Sequence, residues 1–237
     1  MKAFIFAAGM GTRLKPFTLH HPKALVKVGG VPLLERNIKY LQSFGINDFI
    51  INIHHFGGQI IDFLKENDNF GANIQISDER EELLETGGAL LFAKELLEEE
   101  ENILVMNADI LTTLNIGDFI KFHLNSKNFV SLAVSERESS RKLLFDNEMI
   151  LNGWRNEKTG EEKLGNTYQN LKPLAFSGIH CINTNLLKIM KRTGKFSIMD
   201  EYLDLMKDYK IKGYLHDALF IDVGKPEAIT EAEKYFN

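Results

Sequence analysis

The sequence is poor in cysteine and in long apolar runs. Cys181 is the single cysteine among 237 residues, which excludes a disulfide within the chain and makes a reducing compartment the default expectation. The first apolar run, residues 3–8, is far too short to span a bilayer, and no longer run follows. We therefore expect a cytoplasmic protein without a membrane partner, whose core needs no covalent cross-links.

Acidic residues are absent from the first 34 positions, although the chain carries 33 of them and a net charge of −5. The same segment holds five basic residues: Lys2, Arg13, Lys15, Lys23 and Lys27. A basic segment on an acidic protein favours a local anion site over a nucleic-acid surface. From charge alone, a chance excess of lysines on a solvated surface explains the segment equally well.

Apolar strand-like segments alternate with amphipathic helical ones through the first part of the chain. Strands are predicted at 2–8, 48–53, 73–77, 102–107 and 129–135. Thr86 is predicted to cap a helix that runs to about Leu97. This alternation predicts a three-layer, Rossmann-like α/β fold in which helices cover both faces of a mainly parallel sheet.

The regular alternation of predicted strands and helices ends after residue 135. Short strand-like pieces at 142–145 and 148–151 precede a polar stretch, 155–170, that is predicted as a loop, and a further strand follows at 175–182. A helix at 199–207, strands at 211–215 and 219–223, and a closing helix at 225–236 complete the prediction. We expect a small β extension here, attached to the main sheet.

A glycine-rich loop follows the first strand, in the segment Ala-Ala-Gly-Met-Gly-Thr-Arg-Leu at 7–14. Glycines let main-chain N–H groups approach a phosphate closely. A dinucleotide fingerprint fails at Leu14, and no Gly-Lys-Ser/Thr follows for a Walker A loop. An ordinary strand-to-helix turn is the alternative, but Arg13 and Lys23 nearby supply donors suited to phosphate oxygens.

Two carboxylates are placed after predicted strands. Asp109 follows the apolar strand 102–107, and Asp222 lies near the end of the last strand. Ligands of open α/β sheets bind outside the carboxyl ends of strands, where two carboxylates could hold one Mg²⁺. Capping of a local turn is the favoured alternative for either residue taken singly.

These motifs together resemble the sugar-1-phosphate nucleotidyltransferases. The resemblance rests on 7–16, on Pro-Lys-Ala-Leu-Val-x-Val-x-Gly-x-Pro at 22–32, on Glu-Thr-Gly-Gly-Ala at 85–89, on Asn-Ala-Asp at 107–109 and on Asp-Val-Gly-Lys-Pro at 222–226. It implies a GT-A-like fold and transfer of a nucleoside monophosphate from a nucleoside triphosphate to a sugar 1-phosphate, with Mg²⁺ as cofactor. Ala108 departs from the Gly-Asp that the family often carries at the first carboxylate.

The resemblance also implies a set of site residues. Catalytic roles fall on Arg13, Lys23 and Asp109; the nucleotide would contact Ala8, Gly9, Gly11, Thr12, Arg13, Lys23, Gly87, Gly88 and Asn107; the acceptor would contact Arg141, Asn152, Ser177, Gly178 and Asp222; and the metal would bind Asp109 and Asp222. We expect one domain over 1–237, with 1–135 binding the nucleotide and 136–237 the sugar phosphate.

The acceptor sugar and the base stay open at this point. N-acetylmuramate-1-phosphate uridylyltransferases resemble the chain most, and short mannose-1-phosphate guanylyltransferases follow closely. A non-catalytic nucleotide-sugar-binding protein is a further alternative. A glycosyltransferase on a related fold is disfavoured because position 107 is Asn rather than the first Asp of an Asp-x-Asp motif.

Overall fold

The computed structural model describes residues 1–166 and 170–236. Its strands are β1 (Ala3–Phe6), β2 (Lys27–Val28), β3 (Val31–Pro32), β4 (Asp48–Ile53), β5 (Asn73–Asp78), β6 (Asn102–Asn107), β7 (Ile110–Thr112), β8 (Val130–Ser135), β9 (Arg141–Phe145), β10 (Leu151–Asn156), β11 (Glu162–Leu164), β12 (Lys172–Asn183), β13 (Ile211–Leu215) and β14 (Phe220–Asp222). Its helices are α1 (Leu33–Gln42), α2 (Gly57–Glu66), α3 (Glu85–Phe92), α4 (Lys94–Leu97), α5 (Ile116–Ser126), α6 (Leu186–Ile189), α7 (Ile198–Leu205) and α8 (Pro226–Glu233).

A ten-stranded sheet organises the described residues. Its main path runs β11-β10-β9-β12-β6-β1-β4-β5, and β8 joins β12 and carries β13 on its other side. Strands β6, β1, β4 and β5 pair in parallel, whereas β12 pairs antiparallel with both β6 and β8. Strand β8 therefore runs in the same direction as β6, and the carboxyl ends of β1, β6, β8 and β13 meet at one edge of the sheet.

Alternate side chains of the central strands enter two separate cores. Phe4 of β1 packs into a cluster with α3, α4, α6 and α7, whereas Ala3 and Ile5 pack into a second cluster with α1, α2 and α5. The period of two residues along a strand is the cause, because successive side chains point to opposite faces. The predicted three-layer α/β fold is confirmed.

A smaller unit covers the carboxyl edge. Strands β7 and β14 pair antiparallel, and α8 packs with them over a third apolar cluster that includes Leu14, Val28 and Ile221. This cluster joins the glycine-loop segment near the N-terminus to the last strand of the chain. Strands β9, β10 and β11 form the predicted β extension on the first residues of β12.

Several predicted elements have different bounds in the structure. The helix predicted from Thr86 to about Leu97 is two helices, α3 and α4, that meet at Ala93. Thr86 does not cap α3, because its hydroxyl accepts a hydrogen bond from the Ile198 amide across the helix layer. The polar stretch predicted as a loop contains β11, and its residues 167–169 lie outside the described part of the chain.

None of the helices in residues 1–166 and 170–236 combines the length and the apolar character needed to cross a membrane.

Candidate active site

A cavity of about 550 Å³ opens at the carboxyl edge of the sheet. The glycine loop, residues 7–13, forms one wall, and residues 107–109 at the end of β6 form another. Lys23 and Gly224 close the side between them. The cavity is of the size that small-molecule ligands occupy, and it lies at the sheet edge where the sequence predicts a ligand.

Main-chain geometry explains why glycine is needed in the loop. Gly11 has a left-handed conformation with φ of 62°, and a side-chain carbon there would lie 2.7 Å from a methyl carbon of Thr18. The Thr18 hydroxyl donates to the Gly11 carbonyl at 2.7 Å and holds the turn. Any residue with a side chain at this position would therefore strain the backbone and displace Thr18.

The pairing of β14 with β7 brings the two predicted metal ligands together. Asp222 ends β14 opposite Ile110, and the amide of Val223 donates to the carbonyl of Asp109 at 2.9 Å. Burial raises the pKa of Asp222, and the negative charge of Asp109 raises it further. The structure thus brings together two carboxylates that are far apart in the chain, close enough for the charge of one to act on the other.

Three cations surround this pair of carboxylates. The ammonium group of Lys23 forms an ion pair with Asp109. A side-chain carbon on Gly224 would lie 2.8 Å from an Asp222 oxygen and 3.1 Å from an Arg13 nitrogen, so these two groups flank the same glycine. Arg13, Lys23 and Arg137 all act electrostatically to lower the pKa of Asp222, against the larger effects of burial and Asp109. The sequence analysis did not predict Arg137, which follows β8 with no recognisable motif around it.

Asn52 and Glu79 brace the glycine loop, and the sequence analysis missed both. The Asn52 side chain accepts from the Ala7 amide at 2.8 Å and donates to Glu79 at 2.9 Å. Burial raises the pKa of the Glu79 carboxyl, and one of its oxygens has no hydrogen-bond partner among the described residues. The available signal was a polar residue inside the otherwise apolar strand at 48–53.

Gly87 and Gly88, which the sequence analysis predicts to contact the base, are not among the residues that line the cavity, and their contact with the base stays a prediction. A side-chain carbon on Gly87 would lie 2.3 Å from the Phe196 ring, and one on Gly88 would lie 2.1 Å from the Gly194 carbonyl oxygen. The two glycines instead let α3 pack closely against the chain that leads into α7. Glu85 and Thr86, which directly precede the two glycines, contribute to the cavity wall.

The predicted acceptor residues of β12 lie close to the site. Gly178 has φ of 68°, and a side-chain carbon there would lie 3.0 Å from Nδ2 of the Asn107 side chain. Ser177 is buried, and its hydroxyl is 2.9 Å from Nε2 of His216. Asn107 itself lines the cavity, as do Ala8, Gly9, Gly11 and Thr12.

Arg141 and Asn152 are placed on the β extension, away from the cavity. Arg141 is exposed at the start of β9. Asn152 is buried on β10, where its amide donates to Asp146 at 3.0 Å. Neither residue lines the cavity, and the Asn152 side chain instead bonds Asp146 within its own hairpin. Their contact with the acceptor stays a prediction.

Residues 2–145 match the model of the family described as Nucleotidyl transferase. The chain belongs to this family. The matched region contains the glycine loop, Lys23 and Asp109, so the resemblance stated from the sequence is confirmed.

Two curated relatives of this nucleotidyl transferase differ in their named substrates. It is 26% identical to a mannose-1-phosphate guanyltransferase of Gibberella zeae over 96% of its own length, but spans only 62% of that protein. It is 28% identical to an N-acetylmuramate alpha-1-phosphate uridylyltransferase of Caulobacter vibrioides, covering 98% of its own length and 95% of the relative.

A solved structure shares the fold over the whole chain. HddC from Yersinia pseudotuberculosis, crystallised with GMP-PN, superposes on this nucleotidyl transferase with a TM-score of 0.80 and 24% sequence identity. The superposition covers 100% of this chain and 99% of that one.

Proposed function

We propose that this protein transfers a nucleoside monophosphate from a nucleoside triphosphate to a sugar 1-phosphate and releases pyrophosphate. The observation that carries the proposal is the meeting of Asp109 and Asp222 through the β7–β14 pairing. Arg13 and Lys23 lie beside them, and the glycine loop faces the same cavity. Main-chain donors, cations and Asp109 line one cavity, and Asp222 lies beside Asp109; these are the groups that a triphosphate and a divalent ion require.

The carboxylate pair fits a Mg²⁺ ion. Asp109 and Asp222 offer hard oxygen donors, and burial, followed by the charge of Asp109, raises the pKa of Asp222; a bound cation would offset both effects. No cluster of three or more His, Cys, Asp or Glu side chains that could hold a metal occurs among the described residues, so phosphate oxygens and water would complete the coordination. When bound, Mg²⁺ would neutralise phosphate charge as a Lewis acid.

The protein's own groups then position the reactants. In the proposed reaction, an oxygen of the sugar phosphate forms a bond to the α-phosphorus in line with the breaking bond to the β-phosphate oxygen. Arg13 stabilises the charge that develops on the leaving pyrophosphate, and Lys23 aligns the acceptor phosphate. A side-chain base is unnecessary because the attacking oxygen is already anionic.

One domain would carry both half-sites. Residues 1–135 supply the glycine loop, Lys23 and Asp109, and we assign the nucleotide to this part. Residues 136–237 supply Arg137, Ser177, Gly178 and Asp222, and we assign the sugar phosphate to this part.

For the substrates, we propose N-acetylmuramate 1-phosphate and UTP. The support is the Caulobacter relative, which matches this chain over nearly the full length of both proteins. Mannose 1-phosphate and GTP form the second candidate pair, supported by the fungal relative, of which this chain spans 62%.

A matrix of four nucleoside triphosphates against a panel of sugar 1-phosphates tests the proposal. We expect pyrophosphate release with UTP and N-acetylmuramate 1-phosphate in the presence of Mg²⁺, and loss of release when EDTA removes the metal. Release only with GTP and mannose 1-phosphate would favour the second pair. Binding of a nucleotide sugar without turnover in any combination would identify a non-catalytic binding protein.

A further inference from the structure

Asn52 lies where the parallel pairing of β1 with β4 ends. Phe6 and Asn52 are the last paired residues of the two strands, and the next main-chain donor, the amide of Ala7, belongs to the glycine loop. The Asn52 side chain accepts a hydrogen bond from this amide at 2.8 Å. A side chain therefore replaces the main-chain ladder at the residue where the glycine loop leaves the sheet.

The same side chain also bonds a second segment of the cavity wall. Its Nδ2 donates to Oε1 of Glu79 at 2.9 Å. Asn52 and Glu79 are only 2% and 3% exposed, and both line the active-site cavity. Glu79 directly follows β5 and begins the segment that leads to Glu85 and Thr86, which line the cavity as well. Asn52 thus connects two parts of one cavity that are distant in the chain.

The orientation of the Asn52 amide is set by its two partners. The main-chain N–H of Ala7 can only donate, so it requires Oδ1, and Nδ2 then faces the Glu79 carboxyl. A reversed amide would place two donors together at Ala7 and an oxygen against the Glu79 carboxyl. The link therefore has a fixed polarity, and it depends on both an acceptor and a donor at position 52.

The glycine loop is held at two points by side chains. Asn52 holds Ala7 at its start, and the Thr18 hydroxyl donates to the Gly11 carbonyl at 2.7 Å further along. Main-chain donors stabilise a bound phosphate most strongly when they already point at it before the ligand arrives. A loop released at Ala7 would lose that arrangement while the rest of the sheet stays folded.

We propose that Asn52 is a positioning residue for the nucleoside triphosphate. It acts through Ala7 and Glu79, and it fixes the glycine loop relative to the segment 79–86 so that both are in place when the nucleotide binds. This role rests on the proposed function, in which the nucleotide occupies the part formed by residues 1–135. Binding of the acceptor, which we assign to residues 136–237, should not depend on the link.

An exchange of donor and acceptor tests the link. Asn52→Asp keeps the shape of the side chain but sets two carboxyl groups against each other. We expect the KM of the triphosphate to rise about 10- to 100-fold, with the KM of the acceptor within about 2-fold of the wild type. In the double variant Asn52→Asp, Glu79→Gln, the new amide donates to the new carboxylate, and the KM of the triphosphate should return to within about 5-fold of the wild type. Glu79→Gln alone should stay in that range, because its amide oxygen still accepts from Asn52.

Binding and stability measurements separate positioning from a general loss of structure. The dissociation constants of UTP and GTP, measured by calorimetry with Mg²⁺, should follow the same order among the variants as the KM of the triphosphate. Asn128→Asp is the matched control, since Asn128 is a buried asparagine that bonds Ser131 and is not among the residues that line the cavity. It should leave triphosphate binding unchanged even if thermal unfolding shows lower stability. Asn52→Ala removes both hydrogen bonds without adding a charge and gives the same test if Asn52→Asp does not fold.

Several results would overturn the positioning role. Equal rises in both KM values would show a general disturbance, and an unchanged KM of the triphosphate in a folded Asn52 variant would show that the loop does not need the link. A double variant no better than Asn52→Asp would show that Asn52 does not act through Glu79. Absence of pyrophosphate release by the wild type with every substrate pair would instead refute the proposed function, and calorimetry would still decide whether Asn52 supports nucleotide binding.

Discussion

Asp109 and Asp222 repel one another in the folded protein, and this has consequences for both stability and activity. Burial and the charge of Asp109 raise the pKa of Asp222, which means that its ionised form is destabilised in the folded protein. Residues arranged in this unfavourable way are characteristic of functional sites, where a ligand supplies the missing positive charge.

Replacement of either carboxylate by an amide should separate function from folding. We expect Asp109→Asn and Asp222→Asn each to lower kcat about 10²- to 10⁴-fold in a pyrophosphate-release assay, because each replaces an anionic metal ligand with a neutral side chain of the same shape. The temperature of thermal unfolding should stay equal or rise for Asp222→Asn, since the repulsion by Asp109 is removed, and should fall slightly for Asp109→Asn, which loses the ion pair with Lys23. Asp118→Asn, at an exposed position on α5 far from these carboxylates in the chain, is the matched control and should leave kcat unchanged. Near-normal turnover in both site variants would rule out the metal role.

At the scale of elements, the contact of α3 with the segment leading into α7 shapes one side of the active-site cavity. The amide of Gly87 donates to the Phe196 carbonyl at 2.9 Å, and Ser197 in the same segment lines the cavity. Gly87 and Gly88 therefore act on the site indirectly, through the close approach of two backbones.

Because Gly88 lies in this close contact and Gly58 lies in open space, replacing each of them by alanine should have opposite effects on stability. Gly88→Ala would place a methyl 2.1 Å from the Gly194 carbonyl oxygen and should lower the free energy of unfolding by about 1–3 kcal/mol. Gly58→Ala in α2, where an added methyl meets nothing within 4 Å, should raise it by up to about 1 kcal/mol through better helix propensity. Urea unfolding of both variants measures the difference. Equal stability of Gly88→Ala and the wild type would contradict the packing described here.

For the molecule as a whole, two buried histidines link stability to pH. His123 bonds Ser131 and Asn102 at 2.9 and 3.0 Å, and His180 bonds Tyr202 at 2.6 Å. Burial lowers the pKa of His123 to about 4 and that of His180 to about 3. Both rings are neutral in the folded protein near neutral pH, whereas the unfolded chain titrates them near pH 6.5.

The sign of the pH dependence follows from these lowered pKa values. Between about pH 6.5 and pH 4 the unfolded chain binds protons that the folded chain does not, so stability is lost as the pH falls, by up to about 1.4 kcal/mol per pH unit for each histidine. Urea unfolding at pH 7.5 and pH 5 measures the loss. His123→Gln should show a smaller loss than the wild type over this interval, and an equal loss would show that His123 does not contribute.

The layers of the fold and several candidate site residues could be predicted from local sequence patterns. The strand–helix alternation predicted the three layers, because a buried strand and an amphipathic helix each have a periodicity within a few residues. The glycine loop with Arg13, and Asp109 after an apolar strand, were likewise visible, since each motif needs only its neighbours. The bounds of α3 and α4 were predicted less well, because a hydrogen bond from Ile198 occupies the hydroxyl of Thr86.

The remaining features were decided by contacts between distant segments. Only the pairing of β14 with β7 brings Asp222 to Asp109, and only the approach of Gly194 and Phe196 explains Gly87 and Gly88. Periodicity reports which face of an element is buried, but not what packs on it. The types of element and the motifs on which the proposed function rests were therefore determined by the sequence itself. The tertiary fold decided which charged groups share a site, because that depends on contacts between segments far apart in the chain.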